Sequence, residues 1–200
     1  MRRITLLISL VLCLGSSILG QTQTAAEANK SKTLEEVQNK IKTFKNAADF
    51  EAAYDKFDDK TTVLIKLGSP EIPKLAAYRI NLMAWVLSTT FVGNGVSEQP
   101  VASRLCFDAF AGTANFAATK EIVFLLDGTR VAIGNADYNP KILPENIIGR
   151  IKEEVCWNLD ASQLSALLNA KSIEFKAEPI TGVFSEKNLI VLKDFQQLVF

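Results

Sequence analysis

Few side chains in this sequence could do chemistry, and their types narrow it further. There is no histidine among the 200 residues. That removes Ser-His-Asp and Cys-His nucleophiles, imidazole acid–base catalysis and nearly all zinc, haem and non-haem iron ligation. Gly93-Asn94-Gly95 offers the first two glycines of a phosphate-binding loop. Glu98 stands where the third belongs and no lysine follows, so the tripeptide predicts a turn. The serine-hydrolase signatures GxSxG and SxxK do not occur. Asn135, Asp137 and Asn139 alternate like the opening of a calcium loop. Pro140 holds the position that needs glycine, and Asn146 cannot supply the bidentate carboxylate, so an Asn/Asp-rich turn is expected. These residues imply no cofactor and no metal.

Carboxylates and thiols remain. Glu153 shares its face of a strand with Ile151, Val155 and Trp157. A carboxylate among apolar neighbours can have a raised pKa and serve as an acid, half of a glycosidase-type pair. The plainer reading puts it at a sheet margin, reaching solvent or paired with an arginine such as Arg79. Cys106 and Cys156 have no cysteine or histidine at ligand spacing, which argues against zinc. Alternation groups Cys106 with Arg104 and Asp108, and Cys156 with Lys152, Glu154 and Asn158. Both thiols thus fall on the more polar faces of their strands, where packing alone would not place them. If those strands are neighbours, a disulfide closes a loop of about 50 residues. Trp85, Trp157 and the 12 phenylalanines would line the core, or an apolar cavity between sheet and helices.

The elements that must position these residues are legible in outline. Thr33-Leu34-Glu35-Glu36 is a capping box, and Leu34, Val37, Ile41 and Phe44 form an apolar helical stripe. A second helix is expected from Asn46, with Phe50, Tyr54 and Phe57 on one face, giving a helical segment over 33–58. Thr61 to Leu67 is a β-branched run ending at Gly68-Ser69-Pro70. Leu75 to Val92 is a long strand or a buried helix, and Thr89, Thr90, Phe91 and Val92 favour strand. Val101 to Phe110 alternates as a strand. In Glu121 to Gly134 the dipeptide Asp127-Gly128 predicts a type I′ hairpin. That register sets Leu126 against Thr129, Phe124 against Val131 and Ile122 against Ile133, all on one face.

Asn135 to Asn146 reads as a loop with two prolines, and Ile147 to Leu159 as a strand. Asp160 caps a helix bearing Leu164, Leu167 and Leu168, and two short strands follow around Pro179. A closing helix from about Glu186 carries Val191, Leu192, Phe195, Leu198 and Val199. Consecutive strands with helices at the two ends predict an α+β fold. Its largely antiparallel sheet, of about 6–8 strands, is covered by an N-terminal helical pair and two C-terminal helices.

The chain begins with Met1-Arg2-Arg3, an apolar run from Ile4 to Leu14 and then small polar residues, the order of a secretory signal. Cys13 lies inside that run without the small residue before it that lipidation requires. The expected organisation is a signal peptide over 1–20, a flexible leader over 21–32 and a single domain over 33–200. Cleavage would follow Gly20, Ala26 or Ala28, and no transmembrane segment is expected in the mature chain. Lys+Arg and Asp+Glu are both 22, which argues against a nucleic-acid partner. With 48% hydrophobic residues, the domain should bury roughly 70% of its unfolded surface without needing a staple. Together these features predict an exported, periplasmic or extracellular, non-catalytic protein that binds an unknown protein or a small apolar ligand. A carboxylate-only hydrolase and a carrier of apolar molecules are the alternatives. A binding protein should show an apolar groove or exposed patch, and a hydrolase two carboxylates about 5–10 Å apart in a cleft.

Overall fold

A computed structural model describes residues 31–73, 75–97, 99–144 and 150–200. The expected signal peptide, Cys13 and most of the leader lie outside those residues. The first described elements are β1 (Lys32–Thr33) and α1 (Leu34–Ile41), with Thr33 and Glu36 forming the capping box. β1 pairs with β5 (Gly95–Val96), and only glycine allows this approach. A Cβ on Gly95 would lie 2.4 Å from the Lys32 carbonyl oxygen.

Ten longer strands among the described residues build two antiparallel sheets. The larger contains β2 (Phe50–Asp55), β3 (Lys60–Leu67), β4 (Ile80–Val92), β6 (Ala102–Ala111), β9 (Asp137–Ile142) and β10 (Ile151–Leu159). Its order is β2-β3-β4-β6-β10-β9. The smaller contains β7 (Ile122–Leu126), β8 (Thr129–Ile133), β11 (Ile173–Ala177) and β12 (Ile180–Val183), in the order β12-β11-β7-β8. Two further helices are α2 (Ala161–Asn169) and α3 (Glu186–Val199). The α+β class and the antiparallel pairing agree with the sequence reading, but the strands divide between two sheets.

One face of the larger sheet is buried against the smaller sheet and the helices. Trp85 on β4 meets Phe175 on β11 at 4.8 Å and Phe184 at 5.6 Å, while α3 packs on β3 and α2 on β10. Offset and edge-on aromatic contacts of this kind stabilise beyond the area they bury. The capping residues Asp160 and Ser185 start α2 and α3, each in a capping box. Asn188, buried in the first turn of α3, donates to the Gly68 carbonyl at the end of β3, 2.9 Å away. Lys32 donates to the carbonyls of Gln197 and Leu198 at the opposite end of the same helix.

The expected N-terminal helical pair is half right. After α1 the chain makes a short 3-10 turn at Ala47–Asp49 and enters strand β2. Phe50 and Tyr54 are spaced by four, which fits one helix face and equally alternate strand positions. The turn decides the matter. Asp55 accepts from the amide of Phe57, Tyr54 donates to Asp59, and Asp59 takes φ 50°. Phe57, expected on the apolar stripe, is 88% exposed at the hairpin tip. The expected loop after Asn135 contains β9. Pro140 is tolerated there because β9 is an edge strand. Leu75 to Val92 resolves into a 3-10 turn, Leu75–Tyr78, followed by strand β4.

Candidate functional site

Strand β7 reads Ile122-Val123-Phe124-Leu125-Leu126, apolar at every position. A strand has two faces, so burying Ile122, Phe124 and Leu126 turns Val123 and Leu125 outward. Leu125 lies opposite Arg130 on β8 and Glu174 on β11, and Glu174 lies opposite Val183 on β12. Leu125 is 38% exposed and Val183 41%. The Asp127-Gly128 turn fixes this hairpin, with φ 50° and 82° at its two central residues. The observed register is the expected one, Leu126 against Thr129 through Ile122 against Ile133. The Asp127 carboxylate accepts from the amides of Lys171 and Ser172 and from the Ser172 hydroxyl. These bonds, the Ser172 amide foremost, hold its pKa below the usual carboxylate value and tie the hairpin tip to the start of β11.

At the other edge Gly182 makes room for two neighbours. A Cβ there would meet the Phe175 ring at 2.6 Å and the Glu71 carbonyl oxygen at 2.9 Å. Glu71 and Val183 exchange two backbone hydrogen bonds of 2.9 Å, which brings Pro73 beside the sheet. The result is an open, mainly apolar groove of about 330 Å³. Val123, Leu125, Val183 and Pro73 supply apolar surface, with Arg130, Glu174 and Lys176 among the lining residues. Lys176 is paired with Glu178 at 2.6 Å, and that contact raises its pKa. Arg130 and Glu174 have no ion-pair partner among the described residues.

Glu153 occupies a different environment from either expected one. Its side chain is fully buried on β10 opposite Ala109 and reaches neither solvent nor Arg79. One carboxylate oxygen accepts from the amides of Asn115 and Phe116 and from the Tyr138 hydroxyl, each at 2.9 Å. The other lies 2.9 Å from the same Asn115 amide. Successive amides aimed at one carboxylate can compensate the loss of water around a buried charge. Burial, the hydrogen bond to Glu153 and the carboxylate charge push the Tyr138 phenol up to about 12. Glu153 thereby fixes the segment that leaves the larger sheet after β6 and enters the smaller one at β7. It also seats Phe116 edge-on against Phe107, at 4.7 Å between ring centroids.

Cys106 and Cys156 are directly paired across β6 and β10, and their sulfurs are bonded. They lie on the polar face of the larger sheet. Cys106 is half-buried and Cys156 is 1% exposed. Glu154 shares that face, with Oε1 3.5 Å from the Cys156 sulfur, and the three donor groups lie within 4.8 Å of one another. The same face carries two ion pairs, Arg104–Asp137 at 2.8 Å and Lys152–Asp108 at 2.9 Å. Asp137, considered as a calcium ligand from its spacing with Asn135 and Asn139, lies on edge strand β9 and is engaged by Arg104 of β6.

The sequence reading singled out Glu153, Cys106 and Cys156 but missed the groove. Its available signal was the unbroken apolar run of β7, which leaves two large side chains with no place in the core. Among the described residues no helix is long and apolar enough to cross a membrane. No protein-family model matches the chain, and no curated protein or solved structure is significantly similar to it.

Proposed function

We propose that this is an exported, non-catalytic binding protein that engages a protein partner through the outer face of its smaller sheet. The observation that carries the reading is the exposure of Leu125 and Val183 in one groove beside Arg130 and Glu174, which have no ion-pair partner among the described residues. An apolar centre bordered by charge is the anatomy of a protein interface, where one buried anchor side chain supplies much of the affinity. At about 330 Å³ the groove is at the low end for a small-molecule site, and its open form suits an inserted side chain better than an enclosed ligand. The order of residues at the N-terminus and the Cys106–Cys156 bridge support export. The hydrolytic alternative draws no support from Glu153, whose carboxylate is buried and held by three donors.

The test is native mass spectrometry of the protein isolated from its own exported fraction, beside a Leu125→Glu variant. A bound protein should accompany the wild type and be lost from the variant. Retention of the same complex by Leu125→Glu would place the contact elsewhere.

A further inference from the structure

The polar face of the larger sheet holds a second feature, independent of the groove. Glu154 Oε1 lies 3.5 Å from a sulfur that is already bonded to Cys106. A disulfide sulfur has no proton to donate, so here one acceptor faces another and the contact does nothing for the oxidised protein. Reduction changes its meaning. Two thiols and a carboxylate then stand on one face, at directly paired positions of β6 and β10 and two residues along β10.

We propose that the reduced chain binds one thiophilic divalent cation, of the Zn²⁺ class, through Cys106, Cys156 and Glu154. A dithiol reductant supplies two electrons and two protons, becomes its own disulfide and leaves two protein thiols. The cation then displaces both thiol protons and takes the thiolates and the Glu154 carboxylate as ligands. Two thiolates at about 2.3 Å on a tetrahedral cation lie about 3.8 Å apart, a separation that facing positions of neighbouring strands can supply once the S–S bond opens. The three donor groups lie within 4.8 Å of one another. Cys106 is half-buried, so water can complete the coordination. The disulfide and the cation use the same sulfurs and exclude each other, which makes the site open only under reducing conditions. Sequence spacing hides it, because two of its ligands meet only across the strand pair.

The test uses the full chain with Cys13→Ser, so that only Cys106 and Cys156 carry thiols. The protein is reduced with a phosphine, freed of it, and titrated with Cd²⁺ while sulfur-to-cadmium charge-transfer absorption is followed. One Cd²⁺ per chain should bind, with no such absorption in the oxidised protein or in Cys106→Ser. Glu154→Ala should bind about tenfold or more weakly. Absence of the band in the reduced protein, or equal affinity in Cys106→Ser, overturns the site. Unchanged affinity in Glu154→Ala overturns the role of the carboxylate. If reduction unfolds the chain, Cd²⁺ must restore the far-UV circular dichroism and raise the melting temperature. Failure to do so also refutes the proposal.

Discussion

The outward faces of the two sheets differ around their best-defined features, the disulfide on one and the groove on the other. On the larger sheet a strip of charges around the bridge is paired, Arg104 with Asp137 and Lys152 with Asp108, and a disulfide joins β6 to β10. On the smaller sheet Leu125 and Val183 are exposed, and Arg130 and Glu174 stand without ion-pair partners among the described residues. Both sheets bury their other face in one continuous core, so the difference does not come from a need to fold. Charges that satisfy one another have little to offer a partner. A face that leaves apolar side chains beside unpaired charges has both a driving force and a means of orienting what binds.

The contrast predicts that substitutions on the first face cost stability and substitutions on the second cost binding. The largest effect should come from removing the disulfide. A closed loop of 50 residues corresponds to about 4 kcal/mol of chain entropy. The Cys106→Ser, Cys156→Ser double variant should lower the urea midpoint accordingly, and an unchanged midpoint would deny the bridge its structural role.

The joint between the sheets comes next. Glu153→Ala strands the Asn115 and Phe116 amides and the Tyr138 hydroxyl, at a cost of about 3 kcal/mol by chemical denaturation. The same contact carries a pH signature. Tyr138 has a folded pKa of about 12, above the unfolded value of about 10. The folded state therefore keeps a proton that the unfolded chain releases. Stability from this group is full below about pH 10 and is lost as pH rises toward 12. Ultraviolet titration of Tyr138→Phe should lose one late-ionising phenol relative to wild type, and an identical titration curve would contradict the assignment.

A smaller effect belongs to the hairpin that presents the groove. Gly128 has φ 82° and open space around its missing side chain, so Gly128→Val meets backbone strain without a clash. It should cost on the order of 1 kcal/mol or more. A midpoint equal to wild type would mean that the turn tolerates a β-branched residue and does not fix the hairpin.

The parts of the fold that sequence made plain are those where two local signals coincide. At residues 121–134 the turn chemistry of Asp127-Gly128 and the alternation of Ile122, Phe124 and Leu126 point to one register, which is the observed one. For Cys106 and Cys156, alternation assigned the strand face, and the fold made those strands neighbours. At Phe50 and Tyr54 the signals conflict, since a spacing of four satisfies helix and strand alike. The balance was tipped by the turn around Asp55 and Asp59 and by pairing with β3. β9 escaped notice because an edge strand accepts Asn139 and Pro140, residues that elsewhere mark a loop. Glu153 stood out as an acid on an apolar face, yet its main partners are backbone amides, which no residue type advertises. The groove depends on strands β7, β8, β11 and β12 lying side by side, a placement that no local pattern specifies.

The smallest stability effect and the most direct test fall on the same residue. Leu125→Glu lies on an exposed face and should shift folding stability by less than about 0.5 kcal/mol. Two-dimensional amide NMR of wild type and Leu125→Glu, titrated with the apolar probe 1-anilinonaphthalene-8-sulfonate, measures whether this face binds. In the wild type, shifts should concentrate at Val123, Leu125, Lys176 and Val183 and leave Arg104, Cys106 and Asn158 unmoved, and they should vanish in the variant. Shifts that spare the smaller sheet, or that persist unchanged in Leu125→Glu, would contradict the assignment of this face as the binding surface.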